Sequence, residues 1–170
     1  MNMVIQPQFK ALGLMGDNGL IAALMDDDSK FQYVNAKGEV KIQAMFDSAD
    51  DFNSGVAIIA MGGKYGVINS KGDFTIQPTY KQRLWNMGEG LVGYNDNDKM
   101  GFMDAKGNLI LPAMYTNLGV VSDGMIPFQS KTKCGYLDTK GNIVIPDMYL
   151  SVSEFYEGCA WVRQSENSAV

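Results

Sequence analysis

Gly90-Leu91-Val92-Gly93-Tyr94, the polar run Asn95-Asp96-Asn97-Asp98-Lys99, then Gly101-Phe102-Met103-Asp104, Ala105-Lys106-Gly107 and Asn108-Leu109-Ile110-Leu111 form the stretch that decides the fold. It holds three short apolar runs bounded by Asx and Gly. These are strand signals, and none of the runs is long enough for a helix. The polar run joins the first strand to the second as a hairpin. Asp104-Ala105-Lys106-Gly107 joins the second to the third: an Asx side chain bonds forward to backbone N–H groups there, and the glycine takes positive φ without Cβ strain. The stretch reads as a three-stranded antiparallel meander.

The same pattern returns along the chain. The turn tripeptide occurs as Ala36-Lys37-Gly38, Ser70-Lys71-Gly72, Ala105-Lys106-Gly107 and Thr139-Lys140-Gly141, so its glycines recur every 34 or 35 residues. An aliphatic residue precedes an aromatic by four in five places: Ile5 and Phe9, Ile42 and Phe46, Ile76 and Tyr80, Leu111 and Tyr115, Ile145 and Tyr149. Between them stands Pro7, Pro78, Pro112 or Pro146, with Ala44 in the remaining copy. A further glycine follows the aromatic at Gly19, Gly55, Gly90, Gly124 and Gly158. All three markers keep one phase, which is the signature of a repeat architecture.

The expected fold is therefore all-β: about five tandem repeats of roughly 34 residues, three-stranded antiparallel meanders packed as a propeller-like ring or an open curved β array. The expectation is a single domain, 1–170, with repeat units of approximately 1–29, 30–63, 64–98, 99–132 and 133–170. Three short strands do not bury an apolar face alone, so each unit must pack on its neighbours. The connector Asp47 to Gly55, with Phe52 inside it, is long enough to run as a fourth, irregular edge strand, which would make each unit a propeller-like blade. Alternation places Val40 with Ile42, Phe74 with Ile76, Leu109 with Leu111, and Ile143 with Ile145 on one expected core face. Met3 to Phe9 reads as a third strand and Cys159 to Arg163 as a first. Phe46, Tyr80, Tyr115, Tyr149, Tyr33, Phe102 and Tyr136 read as core between units.

Composition narrows the function classes. The formal charge of −5 with 14 Lys and Arg opposes a phosphate backbone, so no nucleic-acid partner is expected. No apolar run reaches the length of a membrane span, and Met1 to Lys10 lacks the pattern of a signal peptide, so the expectation is no membrane and a cytoplasmic setting. Cys134 and Cys159 lack CxxC spacing and read as free buried thiols. The chain contains no histidine, which removes Ser-His-Asp and Cys-His nucleophile systems, His-ligated zinc and any imidazole base.

Lys64-Tyr65-Gly66-Val67-Ile68-Asn69-Ser70-Lys71-Gly72 with Ile76-Gln77-Pro78-Thr79-Tyr80, and Gly135-Tyr136-Leu137-Asp138-Thr139-Lys140-Gly141-Asn142-Ile143-Val144-Ile145-Pro146, resemble the units of the bacterial WG-repeat (KWG-type β-repeat) family. Phe155-Tyr156-Glu157-Gly158-Cys159-Ala160-Trp161-Val162 and Gly88-Glu89-Gly90-Leu91-Val92 resemble the family's downstream half. The tryptophan of the family name is replaced by Phe31, Tyr65, Met100 and Cys134, and Gln32 stands where the glycine belongs. The resemblance implies a β-repeat fold and no catalytic residues.

Asp26-Asp27-Asp28 and Asn95-Asp96-Asn97-Asp98 occupy equivalent first turns. Neither run fits the spacing of a calcium loop, so no metal and no cofactor are expected, and they read as solvated turns. Because a meander puts its two turns at opposite ends, Lys37, Lys71, Lys106 and Lys140 should line one rim and Asp26 to Asp28 with Asp96 and Asp98 the other. Residues out of phase with the repeat are the better binding candidates, because stability does not call for them. Arg83, Leu84 and Trp85 in one connector and Phe155, Tyr156 and Trp161 near the end are of this kind, and Trp, Tyr and Arg are the usual anchors of binding surfaces.

The binding residues expected are thus Asp26, Asp27, Asp28, Arg83, Trp85, Asp96, Asp98, Tyr156 and Trp161. The expected function is a non-enzymatic protein-binding module, in its specific form an acidic immunity or inhibitor protein that blocks a basic toxin by electrostatic complementarity. The alternative is a carbohydrate- or cell-surface-binding module, which a row of solvent-facing rings over a groove would favour.

Overall fold

A computed structural model describes residues 9–26 and 30–164. They form no helix; every regular element is a β-strand. Four sheets each have four antiparallel strands in sequential order. The first comprises β1 (Ala11–Met15), β2 (Leu20–Leu24), β3 (Phe31–Asn35) and β4 (Val40–Phe46), and the second β5 (Ser48–Ala49), β6 (Val56–Met61), β7 (Lys64–Asn69) and β8 (Phe74–Tyr80). The third comprises β9 (Trp85–Gly88), β10 (Leu91–Asp96), β11 (Lys99–Asp104) and β12 (Leu109–Tyr115), and the fourth β13 (Asn117–Leu118), β14 (Met125–Ser130), β15 (Lys133–Asp138) and β16 (Ile143–Tyr149). A two-stranded ribbon follows, β17 (Ser151–Val152) with β18 (Val162–Arg163). The strand expected over Met3 to Phe9 lies outside the described residues except for Phe9. The strand expected over Cys159 to Arg163 is shorter, because Cys159 bridges back to Tyr156.

The connectors form the fourth strand, and they pair forward. Ser48 and Ala49 of β5 face Ala60 and Ile59 of β6, and Asn117 and Leu118 of β13 face Gln129 and Phe128 of β14. Each sheet therefore begins in the connector, out of step with the unit boundaries read from the sequence. The second turns are built as expected. Asn35, Asn69 and Asp138 each accept, through Oδ1, the N–H groups two and four residues on, and Gly72 at φ 89° completes the turn after Asn69. In the Asp96–Lys99 hairpin both central residues, Asn97 and Asp98, have positive φ, the type I′ geometry that favours Asx.

The core face of the third strand differs from simple alternation. Ile42, Ile76 and Leu111 are buried, whereas Val40, Leu109 and Ile143 are exposed. The cause is a bulge present in all four sheets. Tyr33 faces Ile42 but the next residue, Val34, faces Val40; Val67 and Ile68 face Ile76 and Phe74, and the other two sheets repeat the shift. One step on the middle strand spans two on the third, so residues two apart on the third strand point to opposite faces.

The chain divides into two compact units, Met1–Leu84 with Ala105–Gly107, and Trp85–Asp104 with Asn108–Val170. In the first, Tyr33, Ile42 and Phe46 of one sheet pack on Ala57, Ile59 and Ile68 of the next, with Phe52 between them. The Tyr33 ring meets Phe52 edge-on at 4.8 Å, and its hydroxyl donates to the Asp50 carbonyl at 2.7 Å. In the second, Phe102, Leu111 and Tyr115 pack on Ile126, Phe128 and Leu137. Phe46, Tyr115, Tyr33, Phe102 and Tyr136 are buried, as expected of core aromatics, while Tyr80 and Tyr149 are half-buried.

Candidate binding groove

In the second unit, β17 and β18 stand beside the fourth sheet and leave an open groove of about 950 Å³ between them. Tyr136 fixes the ribbon. Its ring meets Phe155 edge-on at 4.8 Å and its hydroxyl donates to the Ser153 carbonyl at 2.7 Å. Burial pushes the Tyr136 phenol above its ordinary pKa, so it remains a donor. Ser122 Oγ bonds the Phe155 carbonyl, and Asp123 accepts the Gly158 N–H at 2.8 Å. The ribbon then turns through Glu157 at φ 50° and Gly158 at φ 76°, with Tyr156 and Cys159 exchanging backbone hydrogen bonds across the turn.

Tyr156 and Trp161 flank this turn and line the groove, and they are 76% and 63% exposed. Their places in the repeat are informative. Counted from the turn glycine, Trp161 corresponds to Ala22, Ile58, Gly93 and Pro127, and Tyr156 to Asp17, Asn53, Gly88 and Ser122. No other copy carries an aromatic at either position. Packing does not require these rings, which are large, rigid and in solvent. Asn117, Gln129 and Glu154 add polar groups to the groove, and among the described residues Glu154 is the only charged one lining it.

The remaining expected residues fall elsewhere. Arg83 donates through Nη2 to both carboxylate oxygens of Asp50, at 2.7 and 2.9 Å, so it ties its connector to the preceding one. Trp85 lies over Gly93, where a Cβ would come within 2.1 Å of the indole, and it packs against the core of the second unit. Asp26, Asp96 and Asp98 are exposed in first turns, and Asp27 and Asp28 lie outside the described residues. Lys37, Lys71, Lys106 and Lys140 occupy the second turns as expected. The opposite ends are not acidic throughout: the first hairpins also carry Lys64, Lys99, Lys131 and Lys133, which gives those ends mixed sign. The buried-thiol expectation needs correction too, since Cys134 is half-buried, Cys159 is exposed, and both line the groove. Partial burial pushes the Cys134 thiol above its ordinary pKa, which disfavours the thiolate. Asn117, Gln129 and Glu154 carried no sequence signal.

The family described as "WG containing repeat" matches the chain four times, over residues 33–65, 65–99, 100–134 and 135–167. Among curated proteins none matches by sequence. Among solved structures, the crystal structure of the eukaryotic initiation factor is similar with a TM-score of 0.56 and 9% identity, over 96% of this chain and 51% of that one. Virginiamycin B lyase from Staphylococcus aureus has a TM-score of 0.46 and 16% identity, over 95% of this chain and 65% of that one. A streptogramin B lyase structure has a TM-score of 0.45 and 14% identity, over 95% and 64%. The chain thus spans between half and two thirds of these structures, and the first likeness is one of fold.

Proposed function

The chain belongs to the WG-repeat family, and from that premise we propose that it is a non-enzymatic module that binds another protein through the groove beside the β17–β18 ribbon. The observation that carries this reading is the convergence of two repeat-breaking, solvent-facing aromatics, Tyr156 and Trp161, on one groove. Large rigid side chains of this kind supply most of the energy at protein interfaces. The acidic charge of the chain and Glu154 in the groove favour a basic partner, and the specific form of the proposal is a cytoplasmic immunity or inhibitor protein that blocks a basic toxin.

The test is affinity capture from a bacterial lysate with the intact protein, in parallel with the Tyr156→Ala/Trp161→Ala double variant. One basic protein held by the wild type and lost from the variant is the expected outcome; identical capture profiles would refute the groove as the binding surface. For the inhibitor form, the captured protein must also be toxic when expressed alone and harmless alongside this chain. Two rings in solvent over a groove with uncharged amides also favour saccharide stacking. A glycan array probed with the same pair of proteins tests that second reading.

A further inference from the structure

Resting on the protein-binding reading above, we infer that the groove takes a proline-rich segment in the polyproline II conformation, flanked by an Arg or Lys. Several backbone groups around the groove are already paired. Thr116 N–H donates to the Gln129 carbonyl at 2.9 Å, Gly119 N–H to Pro127 at 2.8 Å, and Ser153 N–H to Trp161 at 3.1 Å. Trp161 N–H is held by Ser153 Oγ at 3.1 Å. These groups are already bonded, and the lining adds exposed side chains for recognition.

Those side chains are two open aromatic faces together with hydrogen-bond donors: the Trp161 indole N–H, the Tyr156 hydroxyl and the amides of Asn117 and Gln129. The Gln129 amide makes a long bond of 3.4 Å to the Lys131 carbonyl, and the Asn117 amide makes no hydrogen bond among the described residues. A polyproline II segment has the complementary chemistry. It has no internal hydrogen bonds, its prolines lack N–H donors, and its carbonyls point outward as unsatisfied acceptors between flat pyrrolidine rings. It is also pre-formed, so little conformational entropy is lost on docking. Glu154, the one charged residue among the described residues of the lining, supplies the partner for a flanking cation in a chain of net charge −5.

The experiment titrates the intact protein against an array of fluorescein-labelled proline-rich peptides with varied flanks, each paired with a version whose prolines are replaced by alanine. A chito-oligosaccharide serves as a separate probe. The expected result is binding of a proline-rich, Arg-flanked peptide. That binding should weaken at least about tenfold on replacing the prolines or on Trp161→Ala, and lose part of its salt dependence in Glu154→Gln. Far-UV circular dichroism of both variants should match the wild type, since neither side chain is buried. Equal binding of the alanine versions would overturn the polyproline inference while leaving the protein-binding reading intact. Binding of the oligosaccharide alone, lost in Trp161→Ala, would overturn both. Failure of every peptide in the array would overturn the inference, with the lysate capture deciding the broader reading.

Discussion

Gly66 sits in the middle strand of the second sheet, opposite the bulge of β8, and Gly66→Ala tests whether close backbone approach sets that position. A Cβ at Gly66 would lie 2.6 Å from the Ile76 carbonyl oxygen, 2.8 Å from the Pro78 nitrogen and 2.9 Å from Pro78 Cα. Gly101 and Gly135 meet the Leu111 and Ile145 carbonyls at 2.5 and 2.4 Å in the same way. All these atoms belong to backbone or to a rigid ring, so no rotamer change relieves the clash. Gly66 is not among the residues with positive φ, so alanine gains its usual advantage of about 0.4–1 kcal/mol from the unfolded chain. Against that stand overpacking of about 1–3 kcal/mol and about 1 kcal/mol for a ladder hydrogen bond loosened as β8 moves away. The expected balance is a destabilisation of about 2 kcal/mol, read as a lower urea midpoint by far-UV circular dichroism. The first sheet has buried Gln32 at this position and Ala44 in place of the proline. Gly66→Ala combined with Pro78→Ala should therefore cost less than the two changes summed. A Gly66→Ala protein within about 0.5 kcal/mol of the wild type would refute the reasoning.

Two further predictions concern carboxylates. The Asp138 carboxyl is held below its ordinary pKa by the Asn142 side-chain amide first, then by the N–H groups of Asn142 and Lys140; its stabilising contribution is present above the unfolded-state value and is lost as pH falls through the lower folded value. NMR titration should place this carboxyl below the usual aspartate range, and Asp138→Asn should keep the turn while flattening the acid limb, since Asn35 and Asn69 already build the equivalent turns. Asp123 accepts the Gly158 N–H just as Asp17 accepts that of Gly55 and Glu89 that of Gly124, so Asp123→Ala should speed amide exchange at Gly158 and cost at most about 1 kcal/mol at this exposed site. Unchanged exchange there would show that the ribbon turn does not depend on the bond.

The repeat, the meander order and the second turns were legible because each uses a local device stated several times in the sequence, such as the Asx and glycine around Lys71. The bulge was not. Val40-x-Ile42 has the spacing of simple alternation, and the displaced register exists only in the pairing of Tyr33-Val34 with Ile42 and Val40. A glycine within a strand is a sign of close backbone approach, so Gly66, Gly101 and Gly135 were the clue available. The groove was half legible. Tyr156 and Trp161 stood out as breaks in phase, but so did Arg83 and Trp85, which the structure uses for bracing and for covering Gly93. Asn117 and Glu154 are far apart in sequence and meet only because Tyr136 docks the ribbon against the fourth sheet.

A break in phase is open to a partner only when its own sheet leaves it uncovered, and one repeat position shows why. Three residues after the turn glycine, Ala22 and Ile58 lie in strands buried along nearly their whole length, where a larger ring has no room. At Gly93 the side chain is given up and Trp85 from the neighbouring strand fills the space, so that aromatic is spent on packing. At Trp161 the adjoining residues of β18 are exposed, no strand among the described residues covers the position, and the ring is exposed beside a groove. The same substitution of a large aromatic for a small residue would thus overpack the first unit and cost about 1–3 kcal/mol there, whereas at the ribbon the described residues leave the ring exposed and uncrowded.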